Sequence, residues 1–312
     1  VEDKPKKIQL LIAHATDCMA KYDLEAAYKF YEKAVSLSPD DTDLLDASGE
    51  LCMELGRSDE AIRLFQRSIE LKPDENAFKY MNIGQLYSGE EAIRFFQRGI
   101  EMMNHELEQA APEDEEARNK MKARLCSAYC SMTEIYMTDL CDNEDAECRC
   151  EDFLESAQSL APESPELYVQ WGNLRLCQSR QEDAKKMTYK ALTLCNRLEE
   201  ADKPSLDIRT GLMKLLIELE QIDEAEEFGR ALLEVDDEFV ETWYLLGLIH
   251  LNQGSLARAR ECATAAAKVL ERDGVTDEEQ AARVQELMEE VERKDPGGAA
   301  AAMEEDGEDG EE

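Results

Sequence analysis

The segment Gly56-Arg-Ser-Asp-Glu-Ala61-Ile-Arg-Leu-Phe65-Gln-Arg-Ser68-Ile-Glu-Leu-Lys-Pro73 has a near copy upstream, Tyr22-Asp-Leu-Glu-Ala-Ala27-Tyr-Lys-Phe-Tyr31-Glu-Lys-Ala34-Val-Ser-Leu-Ser-Pro39. The closing prolines lie 34 positions apart, and the pairs Ala27/Ala61, Tyr31/Phe65 and Ala34/Ser68 keep that interval. Each copy ends on a proline, which cannot continue a helix. Self-similarity at this period marks a stack of small helical units, each of which buries its apolar stripe only against its neighbours.

The same places can be followed outward. Leu45, Ser48, Gly49 and Cys52 precede the second copy as a first helix. Further on, Tyr168-Val-Gln-Trp171-Gly172 leads to Ala184 and Ala191, and Leu212 and Leu216 lead to Ala225. Trp243-Tyr-Leu-Leu246-Gly247-Leu-Ile-His250 leads to Gly254, Ala259 and Ala266. This pattern resembles the tetratricopeptide repeat, with its period of ~34 and its W-x₂-L-G-x₂-Y, A-x₃-F and P positions. The resemblance implies an all-α fold, a tetratricopeptide-repeat superhelix (α-solenoid) of about seven helix pairs with a C-terminal capping helix. The small residues let two helices approach closely, while Tyr31, Phe65 and Phe96 fill the gaps, at about 1.5–3 kcal/mol each when buried.

Units of standard length are expected over residues 8–41, 42–75, 165–198, 206–239 and 240–273. Two units are irregular. In 77–111 the turn between helices is about four residues short, and the second helix is expected to run to Ala111 before Pro112 stops it. Unit 112–164 carries about five extra residues between Leu140 and Cys150. Ala281, Val284, Leu287, Met288 and Val291 give 276–294 the stripe of a solvating cap. Residues 1–294 are thus expected to form a single array, and 295–312, ending in Glu304-Glu-Asp-Gly-Glu-Asp-Gly-Glu-Glu312, a disordered acidic tail.

Charge excludes several classes of function. The 312 residues carry 72 Asp+Glu against 35 Lys+Arg, a formal net charge of −37. Such a surface repels phosphate backbones and anionic lipids, so neither direct nucleic-acid binding nor membrane attachment is expected. No apolar run approaches the ~18–20 residues of a membrane span. Val1 to Lys7 is charged and has no apolar stretch of a secretory leader. Val1 in place of Met leads to the expectation that a natural segment precedes it.

Catalysis is not expected either. There is no Gly-rich phosphate loop and no G-x-S-x-G. Of the three histidines, His14 and His250 occupy first-helix signature places and read as packing residues; His105 is the third. Cys18 and Cys52 replace a signature aromatic and read as core hydrophobes. Cys126 and Cys130 share a helix face, and Cys141, Cys148 and Cys150 have no zinc spacing and no nearby histidine. The thiols are expected to be structural and reduced, in cytoplasm or nucleus, with no metal and no cofactor.

If the first helices line a concave groove, as the resemblance implies, five places in each unit face it. They hold Asp43, Asp46, Glu50, Met53 and Glu54 in the second unit and Phe78, Met81 and Gln85 in the third. Glu134 and Met137 follow, then Glu166, Val169 and Asn173, then Asp207, Thr210 and Glu218, and last Glu241, Tyr244, Leu248 and Leu251. Nine of the groove residues are acidic and one, Lys214, is basic, whereas the whole chain runs near two to one. Met and aromatics between carboxylates suit a basic, partly apolar, extended polypeptide, captured quickly and weakened by salt. The Lys/Asn/Arg clamp by which some co-chaperones hold acidic C-termini is absent, its places being taken by Ile12, Thr16 and Asp46.

The order of irregular features narrows the comparison. The shortened Met81-Asn-Ile-Gly-Gln-Leu-Tyr-Ser-Gly-Glu-Glu-Ala-Ile-Arg-Phe-Phe-Gln-Arg-Gly, the later Tyr136-Met-Thr-Asp-Leu-Cys-Asp-Asn-Glu-Asp-Ala-Glu147 and the acidic end together resemble the fungal dedicated assembly chaperones of large-subunit ribosomal protein four. The resemblance spans about residues 8 to 294. It implies a protein that cradles the long basic internal loop of that ribosomal protein in its groove and accompanies it from cytoplasm to nucleus; no seam for self-association stands out, so a monomer is expected. The loop is then released at the pre-ribosome. A histone chaperone with acidic interrupted repeats and a generic scaffold are the rival readings. The candidate insertions, Glu113 to Glu116 and Asp142 to Asp152, are short for the first.

Overall fold

The computed structural model describes residues 3–111, 114–273 and 278–296. Pro112 and the acidic stretch from Gly297 onward lie outside them. Among the described residues there are fifteen α-helices and no strand. They fall into two compact units, Val1–Leu167 and Tyr168–Glu312.

The first unit holds α1 (Asp3–Met19), α2 (Leu24–Leu37), α3 (Thr42–Glu54), α4 (Ser58–Leu71), α5 (Phe78–Leu86), α6 (Gly89–Gln109), α7 (Glu115–Met137) and α8 (Ala146–Leu160), and α9 (Pro165–Cys177) starts at its end. The second holds the rest of α9 with α10 (Gln181–Arg197), α11 (Leu206–Glu218), α12 (Ile222–Val235), α13 (Val240–Asn252), α14 (Leu256–Asp273) and α15 (Glu278–Lys294). A short 3-10 turn, Glu200–Asp202, precedes α11. Odd-numbered helices up to α13 are the first helices of pairs, and α15 is the added last helix.

Local chemistry starts and stops these helices. Asp23, Asp41 and Asp114 cap α2, α3 and α7 by accepting from backbone N–H groups of Ala26, Leu44 and Ala117 at 3.0, 3.4 and 3.1 Å. The turn within a standard pair is built the same way five times. One residue adopts positive φ: Tyr22 at 57°, Gly56 at 69°, Ser179 at 58°, Glu220 at 60° and Gly254 at 76°. The next N–H then reaches five residues back, as in Asp23 to Cys18, Arg57 to Cys52 and Ser255 to His250. These are Schellman closures, which satisfy carbonyls the helix end would leave open.

The irregular units have their own devices. Only Tyr87 and Ser88 separate α5 from α6, and the Gly89 N–H is held by Asp139 Oδ2 at 2.8 Å. α6 stops at Gln109, short of Ala111, because Arg118 Nη1 donates to the carbonyls of Leu107 and Ala110 at 2.9 and 3.3 Å. α8 begins at Ala146, so the extra residues form a turn that ends before Cys150. α1 begins at Asp3, earlier than residue 8.

Packing explains the small residues. A Cβ on Gly49 would lie 2.7 Å from the Phe65 ring, and one on Gly84 3.1 Å from Phe96. A first helix and the aromatic of its own second helix are therefore in direct contact, and a Cβ at either glycine would force the ring to shift, more at Gly49 than at Gly84. Ala27, Ala61, Ala92, Ala184, Ala225 and Ala259 are wholly buried. In the second unit α15 packs on α14 and α13, with Val284, Leu287 and Val291 buried. Leu287 fills the space that Gly247 leaves open, 2.7 Å from where a Cβ would stand.

Candidate ligand-binding face

In the first unit, the first helices leave several of the expected side chains exposed or half-buried. α3 exposes Asp43, Glu50 and Glu54 and half-buries Met53; α7 exposes Glu134 and half-buries Met137. Between α3, α5 and α7 lies a hollow of about 440 Å³, lined among others by Glu50, Phe78, Met81, Asn82, Gln85, Arg124, Ser127 and Ser131. The structure thus brings Glu50, Phe78, Met81 and Gln85 together as the groove reading expects. Met81 is the deepest of them, and its Cε sits where a Cβ on Gly99 would go.

The carboxylates here are in no direct ion pair, although Arg124 lies near Glu50 and Lys72 near Asp43. Asp43, Glu50, Glu54 and Glu134 form no salt bridge with any described lysine or arginine. Glu50 accepts from Asn82 Nδ2 at 3.2 Å. Burial pushes its carboxyl above the usual range, and the negative charges of Asp46 and Glu54 push the same way, against the Asn82 hydrogen bond and the nearby Arg124 charge. At the start of α9, Glu166 accepts from Ser127 Oγ at 2.5 Å. Burial raises this carboxyl too, with Glu134 adding to the effect.

Not every expected residue is available to a ligand. Asp46 is only 6% exposed, and its Oδ2 accepts from Asn76 Nδ2 at 2.7 Å, which ties the turn before α5 to α3. It is a structural acceptor, not a groove contact. The single-cation count is also corrected: Arg124 of α7 lies in the hollow with its guanidinium 4.1 Å from the Phe78 ring centroid. α7 runs 23 residues, so its first turns carry side chains onto this face ahead of the repeat register. The signal was present as the helical spacing Arg124, Ser127, Ser131, Glu134.

The second unit differs. Asp207 and Glu218 of α11 are exposed, and Asn173 of α9 is half-buried and donates to Gln170. Val169 and Thr210 are buried, Val169 against α11 near Gly211. Glu241 is 7% exposed and paired twice, with Lys214 Nζ at 2.7 Å and Arg283 Nη2 at 3.0 Å. Burial pushes its carboxyl up, but the two cations outweigh that and hold it below the usual range. Tyr244, Leu248 and Leu251 pack against Leu287, Met288 and Val291 of α15, and Arg283 lies 5.2 Å from the Tyr244 ring. These four expected ligand contacts are instead the seat of the last helix.

The histidines and cysteines divide between core and surface. His250 is buried, whereas His14 is exposed and stacks on Phe30 at 5.3 Å. Cys52 is wholly buried, its thiol pushed up to about 11 by burial, while Cys18 is half-buried. Cys126 and Cys130 are both buried on α7, while Cys141, Cys148 and Cys177 are exposed. Among the described residues no group of three or more His, Cys, Asp or Glu is placed to hold a metal ion. No helix among them is long and apolar enough to cross a membrane.

Paired helices, small-residue contacts and an added last helix define a tetratricopeptide-repeat fold, and tetratricopeptide-repeat family models match residues 19–81 and 211–272. Within that class the similarity is specific. The chain is 35% identical over 130 residues to a Schizosaccharomyces pombe protein described as a probable assembly chaperone of rpl4, covering 41% of this chain and 39% of the relative. It is 37% identical over 106 residues to an Emericella nidulans protein of the same description, covering 33% of this chain and 28% of the relative. The matches therefore span well under half the length of these relatives. Among solved structures, the Assembly Chaperone of RpL4 (Acl4), residues 1–338, superposes with a TM-score of 0.67 at 28% identity, over 80% of this chain and 98% of that one.

Proposed function

We propose that this protein is an assembly chaperone of large-subunit ribosomal protein four, holding the basic internal loop of the newly made protein until it meets ribosomal RNA. The observation that carries the reading is the first-helix face of the first unit. There Asp43, Glu50, Glu54 and Glu134 are exposed on first helices that also carry Phe78, Met53 and Met137, without salt bridges among the described residues. The similarity to assembly chaperones of rpl4 supplies the identity of the cargo.

The physical logic is substitution. A basic loop made to lie on RNA is exposed to aggregation and stray phosphate binding before assembly. Carboxylates stand in for phosphates, and Met and Phe shield the apolar part. Ribosomal RNA, a denser array of negative charge, is then the competitor that releases the cargo. The action is binding, not catalysis, by a monomer moving between cytoplasm and nucleus with its cargo.

The test is to purify the tagged protein from cell extract at low salt and identify the stoichiometric partner. Ribosomal protein four, lost at high salt or on deletion of its internal loop, is the expected result. Histones in its place would move the protein to another class of chaperone. A mixed set of acidic or neutral partners would overturn the groove argument.

A further inference from the structure

The cation that lines the hollow of the first unit has an unusual seat. Arg124 shares the hollow between α3, α5 and α7 with Glu50, and its guanidinium lies over Phe78 at 4.1 Å from the ring centroid. A half-buried aromatic, an exposed carboxylate and a planar cation in one hollow are the parts of an arginine-binding site. The hollow, about 440 Å³, falls in the ~300–1,000 Å³ range of ligand pockets. Arg124 itself is exposed, so its side chain is free to leave.

We propose that Arg124 is a place-holder: in the free protein it occupies the position that an arginine of the bound segment takes on Phe78 beside Glu50. Two guanidinium groups cannot share one ring face, so binding swings Arg124 out and seats the incoming side chain. The exchange makes the pocket selective. A lysine offers a compact, strongly hydrated charge that stacks poorly on a ring, and it would displace Arg124 at a loss. An apolar or acidic segment would displace it with no charge to offer Glu50. This inference deepens the basic-segment reading above by naming the side chain that is read.

The experiment titrates the full chain with two short fluorescein-labelled peptides, one repeating Arg-Leu-Gly and one repeating Lys-Leu-Gly. The internal loop of ribosomal protein four is titrated alongside. The arginine peptide should bind more tightly than the lysine peptide. Arg124→Ala should tighten the arginine peptide about two- to five-fold, the worth of one exposed cation–π contact. Removing a positive charge from an acidic face would itself help any basic ligand, so the cycle with Phe78→Leu decides. In that background the arginine preference and the gain from Arg124→Ala should both shrink toward nothing. Equal gains in both backgrounds, equal binding of the two peptides, weaker binding by Arg124→Ala, or no binding at all would overturn the place-holder. Arg124 is at the surface and its substitution does not threaten the fold, so the peptide comparison stands even if Phe78→Leu unfolds. If the loop binds but the two peptides bind equally, the pocket fails and the chaperone reading survives. If the arginine preference holds but the loop does not bind, the pocket survives and the chaperone reading fails.

Discussion

Glu50 and Glu241 are both first-helix carboxylates expected to meet a ligand, and their surroundings pull them in opposite directions. Glu50 reaches solvent but is partly desolvated, which with Asp46 and Glu54 pushes it above the usual carboxylate range against its donor Asn82 and the nearby Arg124. Glu241 is buried, held by Lys214 and Arg283, and sits below that range. Around Glu50, burial and like charges outweigh the one nearby guanidinium, Arg124, so a further cation from outside would bring relief. A carboxylate already paired twice has nothing to gain. The difference separates a face kept ready for a basic partner from a joint that closes the fold.

The largest expected effect breaks this comparison directly. Reversing Asp43, Glu50 and Glu54 to Lys should weaken the loop of ribosomal protein four about a thousandfold at low salt, since like-charge contacts cost several kcal/mol. Asp46 is left in place because it holds Asn76. Reversing Asp207 and Glu218 on the second unit should cost about tenfold or less, mostly in on-rate. Fluorescence anisotropy at two salt concentrations measures both. Equal losses would mean that the two regions contribute alike.

Next comes the joint. Leu287→Ala removes the side chain that fills the space at Gly247 and packs on Leu251. It should cost about 3 kcal/mol of stability in urea unfolding, as buried Leu truncations do, while leaving cargo affinity unchanged. A loss of affinity without a loss of stability would return Tyr244, Leu248 and Leu251 to the ligand face. Glu241→Gln is the smaller version, about 1–2 kcal/mol, discounted because Lys214 and Arg283 keep solvent access. Its sign with pH is fixed by the lowered carboxyl. The stabilisation is complete above the ordinary value of about 4.3 and is lost as pH falls through the depressed one. Wild type and variant should therefore differ at neutral pH and converge in acid.

Much of this fold could be read from spacing, because each repeat place has a single steric task. Gly49 and Phe65, and Gly84 and Phe96, meet at the contact their interval implies. The candidate face was legible only as far as the register reaches. Glu50, Phe78, Met81 and Gln85 follow from helical position and do line one hollow. Arg124 follows only from the spacing within α7, because that helix starts ahead of the repeat register. The pairing of Glu241 with Arg283 joins residues 42 apart across a helix outside the repeat count. Depth is the other blind spot: Asp46 and Val169 stand at groove places, but neighbouring helices cover them. Periodicity gives the side of a helix on which a residue lies, not what is packed over it.

The smallest effect sharpens the comparison from within the first unit. Glu166 resembles Glu50 in that burial raises its carboxyl and a nearby carboxylate, Glu134, adds to it, while Ser127 opposes by donating. A raised carboxyl binds its proton more tightly in the folded protein than in the unfolded chain. Its cost is absent below the ordinary value of about 4.3, grows as pH rises through the raised value and is complete at neutral pH. Glu166→Gln keeps an acceptor for Ser127 and removes the charge. It should therefore stabilise the protein at pH 7, by at most about 1 kcal/mol, and the gain should vanish in urea unfolding below about pH 4. Because the first unit carries this cost unrelieved, a bound basic segment should erase the difference between wild type and variant. A variant less stable at pH 7 would show that Glu166 is already paired, and that the first unit is not held in wait for a cation.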